Sequence, residues 1–170
     1  MGRAFTKEST DDLVTGELPE RPVPTHVNYV TPHGREQLQA RVKALLERHE
    51  QLTSQLEEDS AAKQKLREIE RDQRYFNAQL ERATVVDPAG QSRDEVHFGA
   101  TVKMRDEDDR EHHFTIVGDD EADVTGGKIS WASPLAKALL GARAGDTVKW
   151  RRPVGDAEVE IVEIRYPRKS

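Results

Sequence analysis

Between Pro32 and Thr84 the apolar positions recur at alternating steps of four and three. Leu38, Val42, Leu45, His49, Leu52 and Leu56 make one stripe, and Ala62, Leu66, Ile69, Gln73, Phe76, Leu80 and Ala83 make a second. That rhythm places one narrow stripe on each of two helices, the pattern of a coiled-coil seam. Antiparallel pairing sets Leu56 against Ala62, Leu52 against Leu66 and Leu38 against Leu80, with the bend at Glu57, Glu58, Asp59 and Ser60. Thr31-Pro32 offers an N-cap followed by a proline at the first helical position. The first arm is expected to run to about Leu56. The second, capped by Asp59 or Ser60, runs to about Arg82, and Val85 to Gly90 ends it with β-branched residues, a proline and a glycine. His49 and Gln73 stand where apolar residues would pack better, which predicts a register-setting role. A histidine pH sensor is the alternative for His49.

From Asp94 the period shortens to two. Val96, Phe98, Ala100, Val102 and Met104 alternate with polar residues, predicting a half-buried strand. Asp106 to Asp109 reads as a turn, His113 to Val117 as a strand and Ile129 to Trp131 as a short strand. Ser133-Pro134 opens a helix that Gly141 closes. Thr147 to Trp150 and Val159 to Ile164 supply the closing strands. The predicted fold class is therefore α+β, an antiparallel coiled-coil hairpin over residues 29–84, a linker over 85–93 and a small α+β domain over 94–168. Residues 1–28 show no sustained period and hold Pro19, Pro22 and Pro24, which predicts a flexible leader. Arg3, Phe5 and Lys7 allow the sharper reading of a segment that orders on a partner.

Composition narrows the function classes. The 170 residues are 34% charged and only 5% aromatic, which suits a hairpin joined to a small domain better than one large core. A net charge of −6 argues against a protein that coats nucleic acid by charge alone. The absence of cysteine excludes disulfides, thiolate metal sites and cysteine nucleophiles. No apolar run approaches the roughly 20 residues of a membrane span. The opening Met1-Gly2-Arg3-Ala4-Phe5-Thr6 fits only the loose myristoylation pattern. A cytoplasmic, monomeric protein is expected. His112 and His113 are adjacent, so in a strand their rings point to opposite faces and make a poor metal site.

Two charged features stand out on the hairpin. Lys63, Arg67, Arg71 and Arg74 follow each other at steps of four, four and three, forming a basic ridge beside the seam. Glu68, Glu70 and Asp72 are interleaved, so the ridge reads either as an ion-paired solvated face or as a surface that follows a phosphate backbone. At the bend, Glu57, Glu58 and Asp59 read as carboxylates favoured by the following helix dipole, or as ligands that share a Mg²⁺ with another protein.

Phe98-Gly99-Ala100-Thr101-Val102 and Phe114-Thr115-Ile116-Val117-Gly118 resemble the C-terminal domain of the bacterial Gre factors, GreA and GreB. Ile129 to Gly141 resembles that family's most specific motif, and Gly145-Asp146-Thr147-Val148 and Ile161-Val162-Glu163-Ile164 sit where it has its closing strands. In the hairpin, Leu66 to Glu70 and Val85-Val86-Asp87 are similar to the second arm and its exit. The likeness spans about Tyr29 to Tyr166. It implies an FKBP-like domain that docks on the rim of the RNA polymerase secondary channel, with Ser130, Ser133 and Pro134 at the contact, and a coiled coil that enters the channel towards the nascent RNA. In cleavage-stimulating members, acidic tip residues hold Mg²⁺ at the polymerase active centre, and the polymerase supplies the catalytic site. This chain departs from the pattern. The family's Asp-x-x-Glu-Asn type of tip is absent, and each arm lacks something like two turns, leaving the tip ~10 Å short at 1.5 Å per residue. A transcription elongation regulator without strong cleavage activity is the resulting expectation, with a cleavage-stimulating factor as alternative. A peptidyl-prolyl isomerase and a coiled-coil adaptor for another partner are the remaining classes.

Overall fold

Thr31 keeps an extended backbone, and its hydroxyl accepts the Gly34 N–H at 2.9 Å, so the first helix begins where the Thr-Pro pair predicts. The computed structural model describes residues 18–55 and 60–168. Within them, β1 (Asn28–Val30) leads into α1 (Pro32–Ser54), and α2 (Ser60–Arg82) returns to β2 (Ala83–Val85). Each helix has 23 residues, or ~35 Å at 1.5 Å per residue. Leu45, Leu52 and Ile69 form the hairpin core, with Leu66 and Phe76 packed on it. His49 meets Glu70 across the seam at 3.2 Å. Leu56 and the bend residues Glu57, Glu58 and Asp59 lie outside the described residues.

Near the base of the hairpin the apolar stripe is an incomplete guide. Gln73 and Leu80 are only half-buried, whereas Tyr75 and Gln79, one turn apart and off the stripe, are buried. This part of α2 packs against more than α1, so a second face is covered. The parallel pairing of β1 with β2, Asn28 beside Ala83 and Val30 beside Val85, closes the base. Three-residue strands carry too little alternation to be seen in the sequence.

The C-terminal part contains β3 (Thr101–Arg105), β4 (Glu111–Val117), β5 (Lys128–Ser130), α3 (Pro134–Leu139), β6 (Thr147–Trp150) and β7 (Ala157–Arg165). They form a five-stranded sheet of order β5-β4-β3-β7-β6, antiparallel except for β4 with β5. Val102, Met104, Ile116, Val159 and Ile161 point from the sheet into the core, which Leu135, Ala136 and Leu139 of α3 cover. The mixed α+β class and the hairpin-then-sheet order agree with expectation.

The strand predicted from Val96 onward is shorter than its alternation. Gly99 adopts φ +88° with the Pro88 ring packed so close that a Cβ would meet it at 2.4 Å. Val96 exchanges backbone hydrogen bonds with Gly141 and Ala142 rather than with a sheet neighbour. Residues 96–98 therefore run as a loop, buried at Val96, and Gly99 and Ala100 exchange backbone hydrogen bonds with Ile116 before the regular ladder starts at Thr101.

Candidate functional site

The basic ridge lies along α2, with Lys63, Arg67 and Arg74 exposed and Arg71 half-buried. The structure partners these cations unevenly. Arg67 donates to the Gln64 side chain at 2.7 Å, within its own helix. Arg71 donates from Nε and Nη2 to one oxygen of Asp72, both at 3.2 Å. Arg74 instead reaches off the helix to Glu20 in the leader, where Nε donates to one carboxylate oxygen at 3.0 Å and Nη2 to the other. The Arg74 fork holds the Glu20 carboxyl below its ordinary range, and Glu20 raises the Arg74 guanidinium in return. Lys63 makes no ion pair among the described residues.

The leader reaches α2 at a second point. Arg21 pairs with Asp72 at 3.3 Å, and its guanidinium lies 4.2 Å from the Tyr75 ring centre and 5.0 Å from that of Phe76. A guanidinium over a ring contributes about 0.5–1 kcal/mol when exposed and more when desolvated. A surface cavity of about 510 Å³ opens where Leu18, Pro19 and Glu20 cross Arg67, Glu70 and Arg74. Further down, Arg82 donates to the His26 carbonyl at 2.6 Å, and the Asn28 amide donates to the Gln79 carbonyl at 2.8 Å. Residues 18–28 thus run as a strap along α2 to its base.

Beneath the ridge is a polar joint that the sequence did not announce. Asp119, Asp120 and Glu121 follow β4, and Asp120 and Glu121 take hold of the hairpin while Asp119 meets the strap. The carboxylate of Asp120 accepts from the Tyr75 hydroxyl at 2.7 Å and from the Gln79 amide at 2.8 Å. Glu121 accepts from the Thr31 hydroxyl at 2.7 Å, so the residue that caps α1 also bolts it to the sheet domain. Asp119 pairs with His26 and accepts from Ser130. Burial foremost, and then Asp120, pushes the Tyr75 hydroxyl above its ordinary range, so it remains a donor. Gly118 lets the strands come together here, because a Cβ would sit 2.4 Å from the Tyr29 carbonyl oxygen. The available signal was the pair Tyr75 and Gln79, spaced four apart off the seam.

The expected docking residues have structural duties. The Ser130 hydroxyl, besides donating to Asp119, accepts the Ala132 N–H at 3.1 Å. Ser133 caps α3 by accepting the Ala136 N–H at 3.3 Å, and Pro134 stands exposed at the first helical position. Beside them, Trp131 packs edge-on against His26 and Tyr29 at 5.3 and 5.0 Å between ring centres. The ridge and this loop are therefore tied to one joint, through α2 and through Asp119. The expected metal ligands at the bend are outside the described residues, and among the described residues no group of three metal-ligating side chains converges. No described helix is long and apolar enough to cross a membrane.

Comparison with known proteins converges on one family. A family model described as transcription elongation factor GreA/GreB, C-terminal, matches residues 91–166. The chain is 38% identical over 153 residues to the transcription elongation factor GreB of Neisseria meningitidis serogroup B, covering 82% of this chain and 94% of that one. It is 44% identical over 119 residues to GreA of Trichlorobacter lovleyi, covering 69% and 75%. A solved GreA/GreB factor from Nitrosomonas europaea is 30% identical, with 82% of this chain and 99% of that chain covered and a TM-score of 0.41.

Proposed function

This chain belongs to the GreA/GreB family of transcription elongation factors, and from that premise we propose that it regulates elongation by binding RNA polymerase and placing its hairpin in the secondary channel. The observation that carries the reading is the joint. Two helices of ~35 Å are fixed at their base to the sheet domain by Asp120 and Glu121. A probe must keep its direction while only its root is held, and buried side-chain hydrogen bonds at that root provide the stiffness. The sheet domain docks on the polymerase rim through the loop carrying Ser130, Ser133 and Pro134, with the exposed Pro134 ring and neighbouring backbone making the contact. The ridge Lys63, Arg67, Arg71 and Arg74 faces nascent RNA inside the complex, where arginine forks suit phosphate oxygens.

Chemistry at the tip belongs to the polymerase. Glu57, Glu58 and Asp59 are hard oxygen donors of the kind Mg²⁺ accepts, and they would hold such an ion jointly with the polymerase. A shared Mg²⁺ supplies charge neutralisation and an activated water for phosphodiester hydrolysis. With arms of only 23 residues, the hairpin acts first as a plug or sensor of the channel rather than as a strong cleavage stimulator. The acidic tip favours the second reading, a factor that promotes cleavage of backtracked RNA.

The deciding assay incubates the protein with stalled, backtracked elongation complexes and resolves the transcripts by length. Retention of the protein on polymerase with little transcript shortening is expected. Shortening that disappears when Glu57, Glu58 and Asp59 are all changed to alanine would establish the second reading. Failure to bind polymerase at all would remove both.

A further inference from the structure

We propose that the leader is a built-in cover for the basic ridge, in which Glu20 occupies on Arg74 the position that a phosphate of single-stranded RNA takes when the strap lifts. The inference rests on the reading of the ridge as an RNA-facing surface and adds a regulation of it. Its basis is the way the strap is held at its two ends.

At the base, the strap is built into the fold. Asn28 is buried, pairs in β1 with β2, and sends its amide to the Gln79 carbonyl. Arg82 holds the His26 carbonyl. At the ridge end the contacts are of another kind. Glu20 and Arg74 keep 61% and 57% of their side-chain surface exposed, so their ion pair sits in solvent, where such pairs hold weakly and exchange readily. Leu18, Pro19 and Glu20 bridge the surface cavity beside Arg67 rather than filling it. The strap is therefore anchored at residue 28 and held at residue 20 by an exposed ion pair.

The latch has the chemistry of the ligand it displaces. Arg74 engages both oxygens of Glu20 from two nitrogens, the fork geometry that arginine also uses for phosphate. Arg21 lies over Tyr75 and Phe76 and shares with Arg71 the carboxylate oxygen of Asp72. With the strap down, Arg74 is neutralised and the face of Tyr75 is occupied. With it lifted, Arg74 is freed one turn from Arg71, which keeps its pair with Asp72, and two turns from Arg67, and Tyr75 and Phe76 lose their cation. A polyanion that reaches several of these arginines at once outcompetes one tethered carboxylate, because each phosphate contact also releases a counterion.

The test uses the full chain and a fluorescently labelled single-stranded oligoribonucleotide, with affinity read by anisotropy across a salt series. Glu20→Gln removes the charge of the latch at an exposed position and is expected to tighten binding on the order of threefold at low salt, with a salt slope steeper by about 0.7, the increment of one single-strand phosphate contact. Because the chain has no cysteine, spin labels at Pro19→Cys and Lys65→Cys report the strap directly, and their separation should lengthen when the RNA is added. If Glu20→Gln binds no more tightly while Arg67→Ala with Arg71→Ala weakens binding, the ridge reading stands and the cover is overturned. If the double arginine variant binds RNA as well as the parent, or neither the parent nor Glu20→Gln binds it, the ridge reading falls and takes the cover with it. A label separation unchanged at saturating RNA also overturns the cover.

Discussion

The sheet domain and the hairpin are held together by different physics. In the sheet domain, Val96, Val102, Met104, Ile116, Leu139, Val159 and Ile161 are sealed from solvent in one cluster. In the hairpin, the buried cluster is Leu45, Leu52 and Ile69, with two half-buried neighbours, strung along two thin helices. A seam that narrow buries little area per residue, and most helical stability in proteins comes from packed faces. The hairpin makes up the difference at its root, where Tyr75 and Gln79 hydrogen-bond to Asp120 and Thr31 to the adjacent Glu121 of the sheet domain. Stability is thus concentrated in the sheet domain, while the hairpin remains slender.

That contrast is sharpest when each core is broken separately. Ile161→Ala leaves a cavity in the sealed cluster and is expected to cost about 2–5 kcal/mol. Both tryptophans, Trp131 and Trp150, lie in the sheet domain, so their fluorescence should lose its unfolding midpoint together with the far-UV helix signal. Leu52→Ala in the seam is expected to cost about 2 kcal/mol, at the low end of the same scale because the surrounding helices can collapse towards each other. Here the helix signal should melt at lower denaturant while tryptophan fluorescence keeps its midpoint. Coincident transitions for Leu52→Ala would show that the two regions share one cooperative unit and would end the contrast.

The joint is the next test. Asp120→Ala leaves the Tyr75 hydroxyl and the fully buried Gln79 amide without their acceptor, at a cost of about 1–3 kcal/mol for buried polar groups left unpaired. Hydrogen exchange should rise in residues 72–82 and around β1, leaving the β3–β7 ladder protected. Protection unchanged at the root would mean that the bolts contribute nothing to the hairpin's direction. Thr31→Ala removes both the α1 cap and the Glu121 contact, and about 1 kcal/mol is expected from the cap. The same exchange experiment should show the effect confined to the first turn of α1 and the chain before it.

How much of this was legible in the sequence follows the same division. The seam residues Leu38, Leu45, Leu52 and Ile69 were visible because helical period is a local signal, and Thr31-Pro32 and Ser133-Pro134 marked helix starts for the same reason. The strand through residues 96–98 was misread because its alternation came from a loop, turned at Gly99, whose burial depends on Pro88 and α3. The joint and the strap were not legible. Glu20 and Arg74 are 54 positions apart and Tyr75 and Asp120 are 45 apart, and a carboxylate gives no sign in sequence of which distant donor it will meet. Family resemblance singled out the loop of Ser130, Ser133 and Pro134, but not the duties of Ser130 and Ser133 within it.

The smallest effect belongs to the latch, and its sign is fixed by the Glu20 carboxyl. Arg74 lowers that carboxyl in the folded chain, with Arg71 adding to the same direction, while Arg67 and Glu70 line the same cavity. A carboxyl lowered on folding contributes in full above its unfolded value, and the contribution is lost as pH falls through the folded value. The strap should therefore stay latched at neutral pH and loosen only on acidification below the ordinary carboxylate range. Labels at positions 19 and 65 should then report a longer separation, while the tryptophan signal of the sheet domain holds. Glu20→Gln should show the longer separation throughout the pH range with no acid transition of its own. A transition that survives in Glu20→Gln would assign the loosening to a group other than Glu20.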